Sequence, residues 1–449
     1  MTDERVKEII AEVSEWLTGE PLETGRVLLR PFEEGDFADF CEYRSQPELL
    51  RLSGMDAFKD EAEAKAEFAK LTDRSVPTRD FAVVYKQTGK VIGNFGINIY
   101  PFVKADKELE NKKGVSLSFV LNGDYQRRGL MSELLLAAFE YFFVKHDLDF
   151  VNCGHFVFNE GSRRLQERVG MHYYTDHVFP HNGEEIQTRE NIIFRDDYFA
   201  QHYTNINSAT IDRWVAEGWE WGIPVTHEVC DRVRSGNWSV VLTPTKPVPK
   251  SWFGDLKGKR VFGLASGGGQ QMPVFALLGA ECWVLDNSAK QIESEIAVAK
   301  REGYEIHTVC ADMTKPLPFE DGFFDMIFHP VSNCYIREVL PVWCECARVL
   351  KKGGRLLAGL DNGFNFLFGE DESHITENLP FDPITNSRQR EDILGDDCGM
   401  QFSHTISEQI AGQIKAGFKL LDVYDDTNGT GFLHEHGVPT FWATLAVKE

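Results

Sequence analysis

From Lys259 to Gly359 the chain repeats one alternation, a short apolar run followed by a segment of helical period. KRVFGLA, ECWVLD, EIHTVCAD, FDMIFHP and RLLAGL read as strands; helical stretches fall around PVFALLG, from Gln291 to Glu302, and up to Val349. Strands spaced by helices imply a parallel sheet covered on both faces, a doubly wound α/β arrangement. FKLLDVYDD and TFWATLAVKE then suit a terminal antiparallel hairpin. Upstream, as far as about Tyr198, short strands mix with helices. RVLLRPF, DFAVVYKQTGKVIGNFGINIY with its QTGK turn, GVSLSFVL and DFVNCGHFVFN read as strands. GLMSELLLAAFEYFF and SRRLQERVG read as helices, and an aromatic hairpin ends near IIFRDDYF. The change of pattern sets domains at 1–198 and 199–449. The second domain opens on a tryptophan-rich helical lead-in, IDRWVAEGWEWG, and the irregular stretch Phe368–Ser403 reads as an insertion or lid.

Composition limits the partners. A chain of 449 residues exceeds one ordinary core, and 42% hydrophobic with 26% charged residues is a globular balance. A formal charge of -23 would repel phosphates, which argues against nucleic acid and anionic membrane. The basic clusters are short: Arg127–Arg128, Arg163–Arg164 and Lys351–Lys352. The start, MTDERVKEIIAEV, lacks the apolar core of a signal peptide, and no run reaches the roughly 18 apolar residues of a membrane helix. Nine cysteines without a CxxC pair fit reduced thiols in the cytoplasm. HEHG, from His434 to Gly437, has no third ligand at suitable spacing, so no metal is expected. Small molecules are the expected partners, and an oligomer is compatible with this reading.

The stretch FGLASGGGQQMPVFALLGAECWVLDNS places a glycine turn between a strand and a helix, and Asp286 at the end of the next strand. Such a turn lets backbone amides approach a ligand, the helix N-terminus favours an anion, and Asp286 can accept both ribose hydroxyls. NAD and S-adenosyl-L-methionine both fit so far. ADMTKPLPFEDGFFDMIFHP then sets Asp312 at the end of the third strand, and ECARVLKKGGRLLAG gives a helix, a Lys-Gly-Gly turn and a fifth strand. This ordered set resembles the class I S-adenosylmethionine-dependent methyltransferases, type 11-like, over about residues 200–449. The resemblance implies a Rossmann-like fold in which Gly263, Ala265, Ser266, Gly267, Gly268 and Gly269 surround the methionine part. Asp286, with Asn287 beside it, would take the ribose, and Asp312 the adenine amino group with Met313 alongside. His329, Pro330 and Asn333 would line the methyl-transfer site, His329 as candidate base. Gly263 stands where the family has an acid and Ala265 where it has glycine, so Ser266 and backbone carbonyls would replace the missing acid. Trp219 and Trp221 would pack against the acceptor or the sulfonium, or clamp the lead-in helix to the sheet.

YQRRGLMSELLLAAF is a second strand-to-helix glycine turn, and the amides from Arg127 to Ser132 with two arginines make a pyrophosphate cradle. NEGSRRLQERVGM sets Asn159 and Ser162 at the next such turn. With RVLLRPFEEGD, these resemble the GNAT acetyltransferases, RimJ/RimL-like branch, over residues 22–198. The resemblance implies a mixed α+β fold with acetyl-CoA where the fourth and fifth strands splay. Phe119, Val120 and Leu121 would bind the pantetheine and polarise the thioester. Gln126, Arg127, Arg128, Gly129, Leu130, Met131 and Ser132 would take the pyrophosphate. Asn159 would hold the pantetheine arm and Ser162 protonate the departing thiolate. Ser116 stands where many relatives have a strand glutamate, which leaves Asp124, Glu42 or a water chain as the base. The expectation is an N-acetyltransferase fused to a methyltransferase; the alternatives are a silent acetyl-CoA-sensing or dimerising module, or a protein or peptide N-terminal modifier.

Overall fold

Eight strands form the first sheet of the computed structural model, which describes residues 1–369 and 371–449. They are β1 (Leu22–Glu23), β2 (Val27–Pro31), β3 (Asp80–Tyr85), β4 (Lys90–Asn98), β5 (Gly114–Leu121), β6 (Phe150–Phe156), β7 (His172–His181) and β8 (Glu184–Phe194), in the order β1-β2-β3-β4-β5-β6-β8-β7. Only β5 and β6 run parallel, and they pair from Gly114↔Phe150 to Leu117↔Cys153 and no further. Beyond that point Ser118–Leu121 stays with β4, and Gly154–Phe156 stays with β8. The sheet therefore opens into a wedge. Two glycines on β4 let β5 lean away from β6: a Cβ on Gly93 would lie 2.1 Å from the Val120 carbonyl oxygen, and one on Gly96 2.4 Å from Ser118 Oγ.

The second sheet contains β9 (Arg260–Leu264), β10 (Glu281–Asp286), β11 (His307–Cys310), β12 (Phe324–His329), β13 (Leu350–Asp361), β14 (Phe418–Asp426) and β15 (Phe441–Lys448), in the order β11-β10-β9-β12-β13-β15-β14. The first five are parallel, and β15 and β14 join antiparallel. This is the doubly wound sheet with terminal hairpin. Alternate residues feed two cores: Phe262 and Ile327 pack with Trp343 on one face, Val261 and Phe328 with Phe275 on the other. The chain reverses its direction of strand addition between β9 and β12, so the crevice beyond their carboxyl ends is where such a sheet takes a ligand.

The described residues divide into two compact units, Met1–Gln201 and His202–Glu449, each with its own sheet. Two local expectations change. The Lys-Gly-Gly turn is absorbed into β13, whose pairing with β12 jumps from Phe324↔Leu350 to Met326↔Arg355. The stretch Phe368–Ser403, in which Glu370 lies outside the described residues, contains a helix at Ser387–Gly395. No described helix is long and apolar enough to cross a membrane, and no cluster of metal-ligating residues occurs among the described residues.

Candidate active sites

The wedge between β5 and β6 opens on a cavity of about 1410 Å³. Phe119, Val120 and Leu121 line it along the free edge of β5, and Gln126, Arg127, Gly129, Leu130, Met131 and Ser132 line its end. Arg127 and Gly129 hold φ at 60° and 77°, left-handed positions that turn successive amides to one side. Among the described residues, none of the amides from Arg127 to Ser132 donates a hydrogen bond to the protein. They stand at the start of the helix Leu130–Glu140, where the backbone dipole favours an anion. One carboxylate in that first turn, Glu133, is neutralised by Arg26, whose Nε lies 2.6 Å from its Oε2.

In this unit Arg128, Glu42 and Asp124 stand away from the cavity, and Asn159 borders it with a capping task as well. Arg128 lies off the cavity: its guanidinium covers the Tyr125 ring and donates to the Asp124 carbonyl at 2.5 Å. Asn159 lines the cavity, but it caps the helix Glu160–Arg168 through the Ser162 amide at 3.1 Å and donates to the Leu52 carbonyl at 3.1 Å. Those bonds shape the turn and leave one amide proton free at the cavity. Glu42 is held by Lys90 and Asn122 and, like the exposed Asp124, does not border the cavity. Ser162 does border it, and its Oγ accepts from Gln166 Nε2 at 3.1 Å, which leaves the hydroxyl proton free to donate. A carboxylate that the sequence reading passed over, Glu190 on β8, also borders this cavity, as do His155 and His177.

The second unit has a cavity of about 950 Å³ at the carboxyl ends of its parallel strands. Ala265, Ser266, Gly267, Asp286, Asn287, Asp312, Met313, Trp219, Trp221 and Pro330 line it. Asp286 receives the Ser288 amide on Oδ1 and the Gly267 amide on Oδ2, each at 3.0 Å. Burial raises its pKa above the usual carboxylate value, against the pull of those amides. A carboxylate has about four acceptor sites, so two remain for ribose hydroxyls. Asp312 accepts the Thr314 amide on Oδ1 at 2.8 Å and borders the cavity. Asn287 ties the wall together: its Nδ2 donates to the Thr204 carbonyl at 2.7 Å, and its own carbonyl accepts from Ser208 Oγ at 2.7 Å.

The glycine turn works differently from the expected amide cradle. Gly267 donates to Asp286, Gly268 to the Gln291 carbonyl at 2.9 Å, and Gly269 to Glu295 Oε2 at 2.7 Å. Those amides are occupied by the chain itself, and Gly268 and Gly269 lie off the cavity. Their lack of a side chain is what matters: a Cβ on Gly267 would meet Gln291 Cβ at 2.7 Å, and one on Gly269 would meet Val298 at 2.7 Å. Gly263 also lies off the cavity, with Met272 Sδ 2.7 Å from where its Cβ would be, so an acid at this position would require the Met272 side chain to move. Two buried polar atoms without partners, Ser266 Oγ and Gln291 Oε1, belong to cavity-lining residues instead. They are acceptors that would fit the ammonium group of S-adenosyl-L-methionine, and Gln291 was not singled out in the sequence because it lies inside a helical stretch, where no local signal marks a side chain turned to the strand ends.

His329 is also corrected. It has no exposed surface and does not line the cavity; Nδ1 faces the Leu264 carbonyl at 2.9 Å and Nε2 faces Asn333 at 2.8 Å. Burial lowers its pKa, so the ring is neutral and can donate only once. With Nδ1–H on Leu264, Asn333 must offer its amide NH₂ to Nε2, which turns the Asn333 oxygen to Gln409, whose Nε2 has no other partner. His329 and Asn333 are therefore struts behind the wall. Asp361, at the end of β13, is one of the carboxylates on the wall; burial raises it to about 6 while it accepts from the Gly363 amide and Asn365. The tryptophans are placed by the turn below them: Gln270 Nε2 donates to the Glu220 and Ile223 carbonyls at 3.1 and 3.0 Å, on either side of Trp221.

Comparison with known proteins gives both halves a relation. Residues 26–172 match the family model described as acetyltransferase (GNAT) domain, and residues 262–358 the model described as methyltransferase domain. The uncharacterised methyltransferase YbaJ of Bacillus subtilis (strain 168) is 40% identical over 249 residues, which are 54% of this chain and 97% of that relative. The uncharacterised N-acetyltransferase p20 of Bacillus licheniformis is 26% identical over 132 residues, 29% of this chain and 70% of that one. Among solved structures, a GNAT-family acetyltransferase from Bacillus anthracis is 21% identical, covers 39% of this chain and 99% of its own, and aligns with a TM-score of 0.34.

Proposed function

Because this chain belongs to the methyltransferase family of its Bacillus subtilis relative and carries a GNAT acetyltransferase domain ahead of its methyltransferase domain, we propose that it is a bifunctional enzyme. It transfers acetyl groups from acetyl-CoA to amines and methyl groups from S-adenosyl-L-methionine, with small-molecule acceptors in both reactions. One observation carries the reading: each unit has a cavity of its own, bordered by its own strand-to-helix turn. Free cysteine thiols throughout the described residues support a reducing compartment, the cytoplasm.

When bound, acetyl-CoA supplies an activated thioester and S-adenosyl-L-methionine a methyl group on a positively charged sulfur. The rest is the work of this chain. The unbonded amides from Arg127 to Ser132 would hold pyrophosphate oxygens, the free edge of β5 the pantetheine amides, and Ser162 would donate a proton. In the second unit Asp286 and Asp312 would hold ribose and adenine, and Ser266 and Gln291 the ammonium. Methyl transfer needs alignment and exclusion of water more than it needs a base. Trp214, Trp219, Trp221 and the lid residues Phe368 and Phe381 supply that wall, and Asp361 can take a proton from the acceptor. The buried Ser116, bonded to Asn152 at 2.6 Å, favours a second reading in which the first unit binds acetyl-CoA without transferring it.

Calorimetry separates these readings. Asp286→Ala should weaken S-adenosylmethionine binding by about 1.5–3 kcal/mol and leave CoA binding unchanged. Gly129→Glu, placing a carboxylate where the phosphates would lie, should abolish CoA binding and leave S-adenosylmethionine binding intact. Mass spectrometry of a small-metabolite extract incubated with both labelled donors then reads transfer. A wild-type chain that binds neither donor sinks the proposal; binding of CoA with methyl transfer alone selects the second reading.

A further inference from the structure

Glu190 is a carboxylate that the cofactor site does not use. It is only 2% exposed, yet it borders the first cavity. Its partner across the β6–β8 ladder is Gly154, the first β6 residue past the point where β5 and β6 part. The missing side chain admits the carboxyl group: a Cβ on Gly154 would fall 2.1 Å from Glu190 Oε1. Glu190 Oε2 accepts from Asn152 Nδ2 at 3.1 Å, and Asn152 Oδ1 accepts from Ser116 Oγ at 2.6 Å. A buried chain of hydrogen bonds thus runs from β5 across β6 to β8 and ends at the apex of the wedge.

The groups around Glu190 leave it without a fixed counter-ion. His177 on β7 stands with Nδ1 3.7 Å from Oε1 and has no hydrogen-bond partner there. Cys153 on β6, Tyr174 on β7 and Tyr100 before the helix Pro101–Ala105 feel its charge. None of these is a permanent cation. Burial therefore outweighs the single Asn152 bond and lifts the Glu190 carboxyl to about 7, where a base both accepts a proton and is present to do so.

We propose that Glu190 is the general base of acetyl transfer, acting on a primary ammonium acceptor that enters the wedge between β5 and β6. This rests on the acetylation reading above. The ammonium gives one proton to the Glu190 carboxylate, and the freed nitrogen pair forms a C–N bond with the carbonyl carbon of the acetyl-CoA thioester. The C–S bond breaks, its electron pair leaves on sulfur, and the second proton shed by nitrogen passes to that sulfur with the Ser162 hydroxyl as relay.

The test reads the carboxyl directly. In protein labelled with δ-¹³C-glutamate, the resonance lost in Glu190→Gln should titrate near pH 7. With CoA bound, a primary-amine probe such as benzylamine should move that titration to lower pH, because an ammonium beside the carboxylate favours its charged form. With acetyl-CoA and an amine that shifts the resonance, Glu190→Gln should lower kcat by about 10²–10⁴-fold, leave the KM for acetyl-CoA unchanged, and lose the limb of kcat/KM near pH 7. Glu190→Asp should keep that limb at a reduced rate. A carboxyl titrating below about pH 5, one indifferent to the amine, or an unchanged pH profile in Glu190→Gln overturns the assignment while CoA still binds. Failure of the wild-type chain to bind CoA sinks the acetylation reading itself, and the base with it.

Discussion

Ala265 holds φ at 47°, a left-handed backbone that disfavours any side chain with a Cβ, and it does so at the first bend of the glycine turn after β9. Its amide donates to the Leu285 carbonyl at 2.8 Å, which fixes the bend against β10. Such a position costs an L-residue about 1 kcal/mol relative to glycine. Ala265→Gly should raise the free energy of urea unfolding by about 0.5–1 kcal/mol without weakening S-adenosylmethionine binding. Gly263 shows the opposite constraint: the departure from the family's acid is visible in the sequence, but the Met272 Sδ that occupies the space beside it is a contact across the turn. Asp286 and Asp312 were legible because they end strands at fixed places in the alternation. Glu190 was not, because what makes it a site is the glycine facing it on another strand.

At the scale of elements, the Gly267–Gly269 turn leans on the helix Ala289–Glu302. Glu295 on that helix is fully buried, its Oε2 accepts the Gly269 amide, and its Oε1 has no partner. Burial lifts its pKa from the ordinary 4.5 to about 8. A folded-state value above the unfolded one means that the protonated form is favoured by folding. The stabilisation is full below about pH 4.5 and is lost as pH rises towards 8. The urea midpoint of this unit should therefore fall across that window, and Glu295→Gln, which keeps an acceptor for Gly269, should flatten the slope and be the more stable form at pH 8. The strands were readable because their apolar residues recur with a period that a sheet requires. The helix Ser387–Gly395 was not: it buries Gln389, Arg390 and Ile393, and the first two satisfy their polar groups on the carbonyls of Asn378, Pro383 and Ile384. A buried face made of glutamine and arginine carries no hydrophobic period.

For the whole molecule, the two units have separate sheets and separate cores, the aromatic cluster of Phe32, Phe40, Tyr43 and Phe68 in one and the two layers around Phe262 and Phe328 in the other. A ligand stabilises the unit that binds it, by about 2.7 kcal/mol at a hundred times its Kd. Calorimetric unfolding should show two transitions, with CoA raising one midpoint and S-adenosylmethionine the other; a single transition raised by both would overturn the separation. The sequence by itself determined the two fold types and the places of Asp286 and Asp312 after their strands, since periodicity and turn chemistry are local properties; the order of strands within each sheet came from the tertiary structure. The tertiary structure alone decided which groups face a ligand. It left the amides from Arg127 to Ser132 open, occupied those of Gly267 to Gly269, sealed His329 behind the wall and set Glu190 at the wedge. Each of those outcomes depends on which neighbour reaches a donor or a space first, and that neighbour lies far away along the chain.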